Sequence, residues 1–76
     1  MNKTRRNSYY AIQQKIAMLV EDMIQLASEE REEYDALSER GQESEQGEAI
    51  NIAATALEDC ADSLQAAYDY LDEVED

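Results

Sequence analysis

Residues 50–74 read INIAATALEDCADSLQAAYDYLDEV. Ile50, Leu57, Leu64 and Leu71 recur every seven residues, and Ala53, Cys60, Ala67 and Val74 fill the complementary heptad position. Such 3-4 spacing marks a helix packed along a nearly parallel seam. Large residues alternate with small ones, so a neighbouring helix can come close and interlock. Ala49, Ala54, Ala56 and Ala61 widen the apolar face on both sides, which predicts contact with more than one helix. On this reading Cys60 is a seam residue that behaves as a small hydrophobe.

Upstream, Ile12, Ile16, Leu19, Met23 and Leu26 form a second stripe, with Val20, Ile24 and Ala27 beside it. The pattern turns charged at Ser28-Glu29-Glu30-Arg31-Glu32-Glu33 and becomes apolar again at Tyr34 and Leu37. Two helices follow, at about 8–39 and 47–74, joined by a linker at about 40–46 and preceded by a basic tail at 1–7. Gly41 is the expected left-handed residue closing the first helix. Ser44 is the expected N-cap of the second, with Glu45 and Glu48 near its positive end. A linker this short makes the helices antiparallel. The predicted fold is all-α: one helical-hairpin domain that pairs as a homodimer into a four-helix bundle.

The composition agrees. The chain lacks Pro, Phe and Trp and has only two glycines among its 76 residues, and strong helix formers dominate the rest. Several functions are disfavoured by what is missing. A single cysteine allows no internal disulfide, and the absence of histidine removes the usual zinc sets and the Glu-x-x-His pairs of di-iron bundles. No calcium-loop spacing occurs, and no base stands ready to activate Cys60 as a nucleophile. We therefore expect no catalytic, cofactor-binding or metal-binding residue. No apolar run approaches the roughly 18 residues of a membrane span. With a lone thiol and no signal-peptide pattern, a soluble cytoplasmic protein is expected.

Charge is the most informative feature. Residues 1–20 carry +4 and residues 21–76 carry −17, which together give the net −13. Basic residues at a helix start and acids at a helix end both oppose the macrodipole. In an antiparallel pair those ends are adjacent, so Lys3, Arg5 and Arg6 are expected beside Asp72, Glu73, Glu75 and Asp76.

No lysine or arginine follows Arg40, so most acids of the second helix have no local partner. Glu58, Asp62, Asp69, Asp72 and Asp76 fall along its outer face, and Glu29, Glu30, Glu32, Glu33 and Asp35 form a second patch. These are the candidate partner-binding residues. The expected partner is a protein with a basic nucleic-acid-binding site, rather than nucleic acid itself. A solvated surface is the ordinary reading of such acids. Against it stands the scarcity of the i,i+4 Glu–Lys pairs that stabilise exposed helices. The competing function is an adaptor that binds through its seam: Ile16, Leu19, Met23, Ile50, Leu57, Cys60, Leu64 and Leu71. Among the tyrosines, Tyr9 and Tyr34 fit the seam and Tyr10 a contact surface. Of Tyr68 and Tyr70, one is expected to face a neighbour and the other solvent.

The runs Glu32-Glu33-Tyr34-Asp35-Ala36-Leu37 and Ser44-Glu45-Gln46-Gly47-Glu48-Ala49 carry a further signal. With the basic start and the helical Ala/Leu/Glu-rich end, they resemble a family of short acidic helical-hairpin proteins of unknown function from Firmicutes and their phages and mobile elements. This chain lacks the linker proline common in that family and has Gln46 where arginine is usual. The resemblance implies a phage or mobile-element setting, where small acidic proteins often inhibit host machinery. It brings no site residues with it.

Overall fold

The computed structural model describes residues 2–74. They form three helices, α1 (Lys3–Asp35), α2 (Glu39–Glu43) and α3 (Glu45–Asp72), with no strand among the described residues. The all-α class read from composition holds.

Helix α1 begins five residues before the expected start, so most of the basic segment is helical rather than a tail. Asn2 is the reason. Its side-chain oxygen accepts from the Arg5 amide at 2.9 Å, and asparagine is among the best N-caps. The cap offsets the cost of placing Lys3, Arg5 and Arg6 at the positive end of a helix dipole.

The turn between the long helices also differs from expectation. No glycine among the described residues has a positive φ, so Gly41 does not close α1 by a left-handed turn. It lies inside α2, and the exposed carbonyls of α1 are capped from a distance. The Gln42 side-chain amide donates to the carbonyl of Tyr34 in the last turn of α1 (3.2 Å) and to that of Leu37 just beyond it (3.4 Å). Serines start both following helices. Ser38 Oγ accepts from the Gly41 amide, and Ser44 Oγ accepts from the Gly47 amide, each at 3.1 Å. The sequence Ser-Glu-x-Gly thus occurs twice, at 38–41 and 44–47, and each serine caps its own glycine. Ser44 is the N-cap that the sequence predicts, with Glu45 and Glu48 in the first turn.

Helices α1 and α3 run in opposite directions along most of their length. Gln13, near the start of α1, donates to the Tyr68 carbonyl (3.3 Å) and to the Asp72 carboxylate near the end of α3. Arg31, near the end of α1, reaches Asn51 and Glu58 nearer the start of α3. The result is a bar measuring 58 × 14 × 12 Å.

Burial locates the seam. In α1 and the turn after it, Tyr9, Gln13, Ile16, Val20, Met23, Ala27, Glu30, Tyr34 and Leu37 are buried or half-buried at alternating steps of four and three. In α3 the same holds for Gly47, Ile50, Ala54, Leu57, Ala61, Leu64, Tyr68 and Leu71. Six of the eight predicted seam residues are therefore in place. The other two are not: Leu19 is 46% exposed and Cys60 is exposed. The leucine row of α3 belongs to two overlapping stripes, one completed by Ala54, Ala61 and Tyr68 and the other by Ala53, Cys60 and Ala67. The first stripe faces α1. Gly47 extends it by one further heptad and admits α2 against the start of α3. The core is thin: among the described residues Val20, Ala27, Ile50, Ala54 and Ala61 are the buried apolar ones, and no large side chain is fully enclosed.

Candidate protein-binding surface

The seam divides the bar into two unlike long sides. On the first, α3 presents Asn51, Glu58, Gln65 and Asp72 at seven-residue spacing, beside Tyr10, Ala17, Ile24 and Arg31 of α1. Arg31 ties this side together. Its guanidinium donates to Asn51 (2.7 Å) and Glu58 (2.6 Å), and its carbon lies 5.8 Å from the centre of the Tyr34 ring. The hydrogen bond to Glu58 raises the guanidinium above its already high ordinary pKa, with the fields of Glu58 and Asp35 adding to it and desolvation opposing.

Glu58 is therefore not the free outer carboxylate that the sequence suggests, because it is committed to Arg31. Asp72 is engaged too, accepting from the buried Gln13 amide. Asp69 accepts from Gln65 Nε2 at 3.1 Å within its own helix and otherwise faces solvent. Asp62 lines an open groove with Ile24, Arg31 and Glu58. Asp76 and Glu75 lie outside the described residues. Arg6 lines a depression shared with Tyr9, Gln13 and Asp72, which puts one N-terminal cation at the acidic end of α3. Tyr9, Tyr34 and Tyr68 are half-buried, whereas Tyr10 and Tyr70 stand in solvent.

The acids of α3 are more ordered in space than the five residues singled out from the sequence. Glu45, Glu48, Glu58, Asp59, Asp62, Asp69, Asp72 and Glu73 are all exposed. They occupy only three of the seven heptad positions, forming one broad sector. Asp59, which is not among those five, sits midway along it. From residue 45 to 73 the row covers roughly 42 Å at 1.5 Å per residue. That is about one carboxylate per 5 Å, sparser than the 3.4 Å charge spacing of a single strand within duplex DNA. The sector matches a phosphate backbone in sign and reach rather than charge for charge.

The second predicted patch is not a face. Glu29, Glu32, Glu33 and Asp35 are exposed but spread over about half the circumference of α1, and Glu30 is half-buried at a seam position. These five acids raise the local negative field without sharing one surface.

The other long side of the bar is apolar. There α3 shows Ala49, Ala53, Ala56, Cys60, Ser63, Ala67, Tyr70 and Val74, with no charged residue at either of the two heptad positions involved. Beside them, α1 leaves Ile12, Leu19 and Leu26 close to half exposed.

Among the described residues there is no cluster of carboxylates and cysteine able to hold a metal ion. No described helix is long and apolar enough to cross a membrane. No protein-family model matches the chain, and neither does any curated protein or solved structure.

Proposed function

We propose that this chain is a non-enzymatic binding protein whose acidic side occupies a basic, nucleic-acid-binding site on a target protein. The observation that carries this reading is the confinement of the α3 acids to one sector along the whole helix. Helix stability alone favours mixed signs on an exposed surface, and this surface is nearly all negative. Such a field draws a basic partner over distances comparable to the Debye length and raises the association rate. The family resemblance adds a setting, an inhibitor carried by a phage or mobile element. The exposed, unpaired thiol of Cys60 fits a reducing cytoplasm.

A competition assay tests the mimicry. On a captured basic partner, the protein should displace labelled DNA. Asp59→Lys/Asp62→Lys/Asp69→Lys should lose that ability while keeping its helical circular dichroism. This set avoids Glu58, whose reversal would also break its bridge to Arg31. Undiminished competition by the triple variant would sink the mimicry reading.

A second reading is supported by exposed Ile12, Leu19 and Leu26. In it the antiparallel pair is a helical hairpin that joins a second copy in a four-helix bundle, serving as an oligomerisation or adaptor module. The two readings use opposite sides of the bar and are compatible.

A further inference from the structure

We propose that the apolar side of the bar is where a second copy of this chain docks, with α1 of each copy lying on α3 of the other. The inference rests on the bundle reading above and is independent of the acidic one.

Area is the first argument. The chain exposes 5808 Å², whereas a compact monomer of its mass is expected to expose roughly 4,700 Å². The excess, about 1,100 Å², exceeds the roughly 800 Å² that each partner buries in a standard protein interface. An elongated bar therefore leaves enough surface uncovered for an interface of standard size on one of its long sides.

Charge identifies the side and the occupant. Two chains of −13 can associate only with their carboxylates held apart. The acids of α3 all avoid this side, so face-to-face pairing turns the two acidic sectors outward. On α1, Arg5 and Glu33 bound the apolar row at its two ends, and Lys15, Asp22 and Glu29 flank it, so both signs are present there.

Shape sets the arrangement. The contacts of Gln13 and Arg31 fix a register that brings Leu19 level with Ala67 and Leu26 level with Cys60. Within one chain these residues lie side by side at the edge of the seam, large on α1 and small on α3. A two-fold axis parallel to the helices preserves height and exchanges the helices. It therefore sets Leu19 of one copy over Ala67 of the second, and Leu26 over Cys60. An axis across the helices would instead stack large on large and leave the small residues apart.

Sedimentation equilibrium across a dilution series reads the stoichiometry. The wild-type chain should sediment at twice its 8.7 kDa, and Leu19→Glu/Leu26→Glu should fall to the single-chain mass with its helicity retained. A wild-type chain at single mass throughout the series overturns the proposal, as does a double variant that keeps the doubled mass. Should the double variant unfold, labelling of Cys60 in the unmodified protein gives the answer. The thiol should react with a maleimide more slowly as protein concentration rises, and a rate independent of concentration contradicts docking on this side. Ready oxidation to a Cys60-linked dimer would place α3 on α3 and overturn the arrangement. None of these outcomes bears on the DNA-competition result, which reads the opposite side of the bar.

Discussion

Gly47 and Gly41 look equivalent in the sequence, since each follows a Ser-Glu pair by one residue, yet they meet different surroundings. A Cβ on Gly47 would overlap the carbonyl oxygen of Gly41 and come within 2.6 Å of the Gln42 carbonyl. Backbone on that side cannot swing away as a flexible side chain can. A Cβ on Gly41 meets the Leu37 side chain at 3.3 Å, in a helical backbone that alanine prefers. Gly47→Ala should therefore lower stability by about 1–3 kcal/mol, the usual cost of overpacking. Gly41→Ala should be close to neutral, its propensity gain of up to about 1 kcal/mol offsetting a mild crowding. Thermal unfolding of the two variants checks this, and equal melting points would contradict the close approach of α2 to α3. Gln42 supports the same turn from the other side. Gln42→Ala removes the amide that caps α1 and should cost about 1 kcal/mol, read as a lowered denaturant midpoint. Neither role was legible in the sequence. Both depend on where α2 folds back, and the short α2 helix itself went unread inside a segment rich in polar residues.

At the scale of the helices, the period was legible and the phase only partly so. The leucine row of α3 and the pair Ile16 and Met23 were found because they belong to every apolar stripe that can be drawn. Cys60 and Leu19 were misplaced because a helix with two overlapping stripes does not say which one faces its neighbour. The deciding signals were present but weak. Gly47 continues the Ala54–Ala61–Tyr68 series, and Gln13 continues the Val20–Ala27 series. A glutamine is an unlikely seam residue until Tyr68 and Asp72 supply its hydrogen bonds. The phase can be tested two residues apart. Ile50 is 9% exposed and Ile52 is 69% exposed. Ile50→Ala should cost about 2–4 kcal/mol, whereas Ile52→Ala should change stability by less than about 0.5 kcal/mol. The opposite ranking would mean that the seam has been assigned to the wrong stripe.

For the molecule as a whole, the acidic character was plain from composition, but its division between two sides was not. Net charge says nothing about phase. Only once α1 takes the Ala54–Ala61 stripe does the remaining surface of α3 separate into a carboxylate sector and an uncharged one. The acids engaged across the seam, Glu58 and Asp72, could not be told from free ones, because their partners Arg31 and Gln13 come from the distant helix. What remains outward (Asp59, Asp62, Asp69 and their neighbours) makes an electrostatic surface for a basic target. The most direct test is capture of lysate proteins on the immobilised wild-type chain at low salt, followed by a rising salt gradient. As ionic strength rises to 1 M, the Debye length shrinks to about 3 Å and attraction between exposed charges is largely screened. We expect basic nucleic-acid-binding proteins to be captured and released well below molar salt. Capture of none, or a partner that stays bound through 1 M salt, would contradict an acidic binding surface.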